Sequence, residues 1–401
     1  MAKISIQNVS KVFGPHPKQA LRLAAKGVSR ADILRQTRTT VALFDISIDI
    51  TDSQLLVIMG LSGSGKSTLL RCLNGLIMPT TGRILVDGED ITSMSSKNLR
   101  HVRQRCFGMV FQNFALFPHR TVLQNTAFGL EVMGVPEATR LKKSKEVLER
   151  VGLAQWQNAH PGQLSGGMKQ RVGLARALAL EPQVLLMDEA FSALDPLIRQ
   201  EMQDELLALQ EDIHKTIVFI THDLNEAFKL GDSIVLLQDG SIVQTGTPEE
   251  ILHAPANEHV ARFVASADAS QVLTAASVMK RSEDAAVLGL DGPRAALRKM
   301  RVHSIASLFV LDRHRHFVGI INAADAERMV SEGRSDLKEI TSSDITTVRP
   351  DTPVTEIVPL MADLPYPLAV VDERQRLQGV IVRGLLLGAL VEHNRGGAHA
   401  A

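Results

Sequence analysis

Three short apolar and β-branched runs, LLVIM at 55–59, VLLMD at 184–188 and TIVFI at 216–220, are set among stretches of helical periodicity. Runs of this length without alternation predict strands buried on both faces, as in a parallel sheet covered by helices. The fold class they imply is α/β. Each run delivers polar residues at its C-terminal end, the edge of an open parallel sheet where ligands bind. Towards the C-terminus, LFVLDRHRHFVGII at 308–321 and LAVVDERQRLQGVI at 368–381 repeat one another at an offset of 60, with Asp312 over Asp372 and Gly319 over Gly379. Each reads as strand, charged turn and strand, accompanied by helical patterns such as GPRAALRKM and PVTEIVPLM. Units this small bury little core alone, so they are expected to pack as a pair. The stretch LQGVIVRGLLLGALV at 377–391 carries Arg383 and is shorter than the roughly 18 apolar residues of a spanning helix, so a strand followed by a buried helix is expected.

Composition narrows the class. A chain of 401 residues suits two or three domains. Basic and acidic residues balance at 44 each, with a pI near 7.3, so no nucleic-acid partner is expected from overall charge. Cys72 and Cys106 stand far apart, outside any CxxC. That excludes a disulfide framework or zinc ribbon and fits a reducing compartment. The opening MAKISIQNVS lacks a signal peptide's apolar core, so a cytosolic polypeptide is expected.

The first strand edge carries the clearest chemistry. GLSGSGKST, residues 60–68, follows LLVIM and opens the helix STLLRCLNGL, the context that makes this spacing a phosphate loop. Gly60, Gly63 and Gly65, with Leu61, Ser62, Ser64 and Thr68, form a loop whose amides curl around phosphates at a helix N-terminus. Lys66 would reach the β- and γ-phosphates of ATP, and the Ser67 hydroxyl would ligate Mg²⁺. Asp188 ends an apolar strand and is placed to act on the same cation; Glu189 beside it can orient or deprotonate a water. By themselves, two adjacent acids at a strand end fit a solvated turn equally well.

A second phosphate corner lies in PGQLSGGMKQR at 161–171. Ser165, Gly166 and Gly167 precede the helical pattern QRVGLARALAL with small side chains and free amides. Since residues 60–68 already take a triphosphate from one side, this corner makes most sense closing over the γ-phosphate held by a second copy of the chain. Two copies would then sandwich two ATPs.

With these pieces in order, the chain resembles the ATP-binding cassette (ABC) family of P-loop NTPases. Residues 60–68 stand as its Walker A motif, FQNFALFPH at 111–119 as its Q-loop, LSGGMKQR as its signature, LLMDEA as Walker B, SALD as its D-loop and ITHD as its switch. The resemblance implies that Gln112 approaches the metal and the attacking water. It also implies that Asp195 crosses a dimer interface, that His222 hydrogen-bonds the γ-phosphate, and that Phe13 stacks on adenine. An insertion at 15–40 carries Lys18, Arg22, Lys26, Arg30, Arg35 and Arg38 against Asp32 alone. It is expected to form one or two short basic surface helices, either a solvated decoration or a face towards membrane or transporter.

The repeated C-terminal part looks like a tandem of CBS domains, giving an expected division into a cassette at 1–268, a first CBS domain at 269–338 and a second at 339–401 with a short tail. Some CBS pairs bind adenine nucleotides through polar residues after the second strand; here the first copy has Asn322 and Asp325 and the second Val382 and Leu385. Arg294, Arg298, Lys299, Arg301, Arg313 and Arg315 form a basic cluster that could meet an anion. Cassette, insertion and CBS pair together resemble the ATPase subunit of osmoregulatory importers of the glycine betaine/proline betaine type. That resemblance implies a second ATPase subunit, a transmembrane permease and a periplasmic or extracellular solute-binding protein as partners, at the cytoplasmic face of the inner membrane. Another cargo such as methionine or a polyamine, or a soluble ABC ATPase acting on nucleic acid or ribosomes, are the alternatives.

Overall fold

The computed structural model describes residues 2–265, 272–280, 285–303, 305–364, 366–387 and 389. The expected boundary at 268/269 and most of the C-terminal tail lie outside them. Contacts divide the chain into units 1–257 and 258–401. The first unit begins with β1 (Ala2–Phe13), α1 (Pro17–Ala25), α2 (Arg30–Thr37), β2 (Thr40–Thr51), β3 (Leu55–Met59), α3 (Lys66–Leu73), β4 (Thr81–Val86), β5 (Glu89–Asp90) and α4 (Ser96–Cys106). It continues with β6 (Phe107–Phe111), α5 (Val122–Val132), α6 (Glu137–Arg150), α7 (Gly166–Leu178), β7 (Val184–Asp188), α8 (Pro196–Ile213), β8 (Thr216–Thr221), α9 (Leu224–Leu230), β9 (Ser233–Gln238), β10 (Ser241–Gly246) and α10 (Pro248–His253).

The apolar runs become β3, β7 and β8, interior strands of a six-stranded sheet ordered β10-β9-β3-β8-β7-β6. All its pairings are parallel except the β9–β10 edge. The long strands β1 and β2 join β4 and β5 in an antiparallel sheet ordered β2-β1-β4-β5. One core cluster unites both sheets with Leu69, Leu70 and Leu73 of α3, all unexposed. Burial of such side chains is worth about 1.5–3 kcal/mol each before entropy is charged. A separate cluster of Val122, Leu148, Val172 and Ala175 holds α5, α6 and α7 together. The 15–40 insertion, expected to form one or two short helices, forms two. Ala20 and Ile33 bury against Val12 and Val41, so the pair is packed onto the antiparallel sheet as well as exposed.

The second unit comprises α11 (Glu258–Val264), α12 (Ala275–Val278), β11 (Ala285–Val287), α13 (Pro293–His303), β12 (Ser307–Leu311), β13 (Phe317–Asn322), α14 (Ala323–Ser331), β14 (Thr347–Val348), α15 (Val354–Asp363), β15 (Leu368–Val371) and β16 (Leu377–Ile381). Its sheets, β11-β12-β13 and β14-β15-β16, are copies. Leu308 pairs Ile321 and Val310 pairs Gly319, while Leu368 pairs Ile381 and Val370 pairs Gly379. Asp312 accepts hydrogen bonds from the amides of His314 and His316, as Asp372 does from Arg374 and Arg376. The repeat seen in sequence is therefore a repeat of backbone geometry. The described part of the helix expected after β16 is only half buried: Leu386 is buried, but Leu385 and Leu387 are 39% and 61% exposed.

Candidate nucleotide site

The parallel register sets the site. Met59 of β3 pairs with Thr221 of β8, and Asp188 of β7 pairs with both Ile220 of β8 and Phe111 of β6. Four neighbouring strands thus end almost level, and the next residues are Gly60, His222, Glu189 and Gln112. Motifs up to 162 residues apart in sequence share one sheet edge because the strands beneath them are in register.

Gly60, Gly63 and Gly65 all have positive φ, at +149°, +80° and +110°, the region that side chains other than glycine's disfavour. Lys66 is 5% exposed, and its ammonium donates to the carbonyls of Gly60 at 2.8 Å and Leu61 at 3.2 Å. One of its three donors is left for an anion. Burial lowers its pKa, and the charges of Glu189 and Asp188 oppose that shift. The buried hydroxyl of Ser64, itself a residue of this loop, has no hydrogen-bond partner. These features fit a nucleotide's phosphates.

Ser67 donates to Asp188 at 3.1 Å, bringing together a hydroxyl and a carboxylate, the hard oxygen donors a magnesium ion takes. Burial pushes the Asp188 carboxyl upward in pKa, and the Ser67 hydrogen bond opposes it. Glu189 stands at the centre of a second group. Its Oε2 accepts from Gln112 Nε2 at 3.3 Å and lies 3.5 Å from His222 Nδ1. Gln112 also donates to Ser192 at 3.1 Å, and Ser192 donates to the Glu189 carbonyl at 2.9 Å. Ser192, the first residue of SALD, carries no role of its own in the sequence reading, although its place three residues after Glu189 in a turn is a usable signal. Among the described residues, the hydrogen bonds of the Gln112 side chain go to Glu189 and Ser192 and none to Ser67 or Asp188.

Leu61, at 58% exposure, and Ser62 lie on the open side of the loop, and Thr68 continues α3 after Ser67. Phe13 is 45% exposed, with the Lys11 ammonium 4.9 Å from its ring centroid. Asp195 caps α8 by accepting from Ile198 N–H at 3.2 Å. Ser165 caps α7 by accepting from Met168 N–H at 3.3 Å, leaving its O–H free to donate. Within the chain, among the described residues, Ser165, Gly166 and Gly167 make no hydrogen bond to residues 60–68.

In the second unit, Asn322 and Asp325 are engaged as a cap on α14, and Asp325 also pairs with Arg328. Val382 and Leu385 line a cavity of about 270 Å³ with Lys280 and His303. Lys299 departs from the expected basic cluster. It turns inward to Asp291 at 2.8 Å and the Ala285 carbonyl at 2.9 Å.

A phosphate loop backed by a strand-end acid pair and a histidine defines a P-loop ATPase by geometry. Comparison with known proteins carries this to a family. The ABC transporter family profile matches residues 43–192, and the CBS domain profile matches 337–392. The chain is 51% identical over 393 residues to the glycine betaine transport ATP-binding protein OpuAA of Bacillus subtilis, spanning 98% of this chain and 93% of that one. It is 44% identical over 390 residues to the glycine betaine/proline betaine transport system ATP-binding protein ProV of Escherichia coli, spanning 97% of each. Among solved structures, the dimeric, post-hydrolysis ATP-binding cassette MJ0796 bound to ADP and Pi matches with TM-score 0.51 and 31% identity, over 61% of this chain and 98% of that one. The chain belongs to the ATP-binding proteins of the ABC transporter family, with a CBS domain at its C-terminal end. It is an ATP-binding, ATP-hydrolysing transport subunit.

Proposed function

We propose that this chain powers uptake of glycine betaine, proline betaine or a related quaternary amine, as one of two identical ATPase subunits beneath a membrane permease. The cargo rests on the extent and level of identity to OpuAA and ProV. The permease and an external solute-binding protein follow from the same kinship. No helix among the described residues is long and apolar enough to cross a membrane, consistent with a subunit attached to the inner face of the membrane through its permease.

One observation carries the engine. Lys66, Ser67, Asp188, Glu189, His222 and Gln112 converge on one sheet edge, while Ser165, Gly166 and Gly167 are held on α7 with no bond to it. The signature corner is thereby left to complete a site in a second copy, a reading supported by likeness to a cassette that is dimeric and bound to ADP and Pi. The amides of residues 60–68 and Lys66 hold the phosphates, and Phe13 meets the adenine. Ser67 and Asp188, with Gln112 nearby, would hold a magnesium ion, which supplies charge neutralisation on the β- and γ-phosphates. Glu189 draws the proton from the attacking water. His222, already beside Glu189, donates to the γ-phosphate, and Gln112 links this cluster to the permease-facing segment 111–119. Asp195 lies at the interface between copies.

The test uses the Glu189→Gln chain with its permease in vesicles. Cysteines placed at Ser62 and Gly166 should cross-link between subunits when ATP is bound, in a background lacking Cys72 and Cys106. Wild-type vesicles should accumulate labelled glycine betaine in an ATP-dependent manner. Absence of intersubunit cross-links with ATP bound would remove the shared-site reading; uptake competed by methionine or polyamines but not by betaine would move the cargo.

A further inference from the structure

The 15–40 hairpin has six basic side chains. Among the described residues, Arg30 is the one of these that hydrogen-bonds outside the hairpin; Arg35, by contrast, meets Asp32 within α2. Ser29 caps α2 by accepting from Asp32 N–H at 3.2 Å, which puts Arg30 on the first helical turn. From there its guanidinium donates to the carbonyl of Gly63 at 3.1 Å and, through its other terminal nitrogen, to the carbonyl of Ala42 in β2. Burial lowers the Arg30 pKa, and nearby Asp239 opposes that shift.

The surroundings are shaped around this contact. The Gly63–Ser64 peptide is held on both sides, its carbonyl by Arg30 and its N–H by the Leu61 carbonyl at 3.1 Å. The Ser64 carbonyl accepts from Gly240 N–H at 3.0 Å. Gly240 has φ +70°, and a Cβ there would lie 2.4 Å from Arg30 Nη2 and 2.5 Å from the Ala42 carbonyl. A side chain at 240 would expel the guanidinium. The hairpin itself is anchored by Ala20 and Ile33 on Val12 and Val41, immediately beside Phe13.

We propose that Arg30 is a positioning residue for ATP, through which the 15–40 hairpin braces the phosphate loop in its binding form. The proposal rests on residues 60–68 being that loop. A charge-assisted bond fixes the orientation of a loop peptide before the nucleotide arrives, so less ordering is charged against binding. Arg30 touches neither the phosphates nor the attacking water, so its effect falls on affinity more than on turnover.

The experiment is steady-state ATP hydrolysis and ATP titration on the purified full chain and three variants, with thermal melting of each. Arg30→Gln should raise the KM for ATP about tenfold, as loss of one charged hydrogen bond implies, with kcat within about twofold of wild type. Arg30→Lys, which keeps the charge but not the rigid planar fork of donors, should recover part of that loss. Arg35→Gln should match wild type. An Arg30→Gln KM within twofold of wild type would overturn the brace, as would equal losses in KM and kcat that follow only a fall in melting temperature. Lys66→Ala separates this from the underlying reading: if it binds ATP like wild type, residues 60–68 are not the phosphate loop, whereas neutral Arg30 variants beside a dead Lys66→Ala remove the brace alone.

Discussion

At Glu189 the chain leaves β7 with φ +46°, a left-handed conformation that costs a non-glycine residue about 1–2 kcal/mol. Its N–H reaches the Ile220 carbonyl at 3.0 Å and its own carbonyl is held by Ser192. The turn is thus imposed by its neighbours and aims the carboxylate at His222 and Gln112 rather than along the strand. Glu189→Gln preserves shape and removes the base. Phosphate release should fall about 10²- to 10⁴-fold while ATP titration shows binding retained; turnover within tenfold of wild type would place the base elsewhere. Behind the switch, Glu226 is 6% exposed and accepts from Thr221 at 2.5 Å and Gln203 at 3.1 Å. Burial is the largest cause of its raised pKa. The native state therefore holds this proton more tightly than the unfolded chain, so stability falls as pH rises from about 4.3 towards the folded value. Melting temperature measured between pH 4 and 7 should show a shallower decline in Glu226→Gln than in wild type, and parallel curves would refute the assignment.

The elements show how far sequence reaches. Apolar runs and glycine spacing predict β3, β7, β8 and the loop before α3, because burial on both faces and positive φ each leave a local mark in residue type. The level ending of β3, β8, β7 and β6 leaves none, since it is a matter of register between strands drawn from positions as far apart as Leu55 and Thr221. Arg30 reads as one more exposed arginine until its partners at Ala42 and Gly63 are brought beside it. Lys299 and the helix after β16 depart from expectation for the same reason: which face meets a neighbour is decided by tertiary packing. The seam between α7 and α8 adds a prediction of this kind. A Cβ on Gly167 would lie 2.5 Å from Ile198 Cγ2. Gly167→Ala should therefore cost about 1–3 kcal/mol by overpacking, despite the gain in helix propensity. Removing the obstacle with Ile198→Ala should make the double variant less destabilised than the sum of the singles, as read by urea melts of both singles and the double. Strict additivity would mean that the two helices part freely at this point.

At the scale of the whole molecule, the chain joins two units, each with its own hydrophobic clusters. Those of the first draw on residues 4–242 and those of the second on residues 285–380. A core of the first kind, with two sheets and the helices α3 and α5–α7, lies within the size range of an independently folding domain. The residues proposed to bind and hydrolyse ATP, from Phe13 to His222, all belong to it. Residues 1–257 alone should then fold, bind ATP with a KM close to that of the full chain, and retain turnover within about threefold, since no proposed catalytic group is removed. A regulatory role for the paired repeats makes a prediction of its own. Reconstituted with its permease, the shortened subunit should transport betaine at a rate that no longer responds to ionic strength, whereas the full chain should respond. Equal responses from both forms would move the sensor out of residues 258–401 and into the cassette or the permease, and loss of ATP hydrolysis by the isolated first unit would show that the two units act as one enzyme.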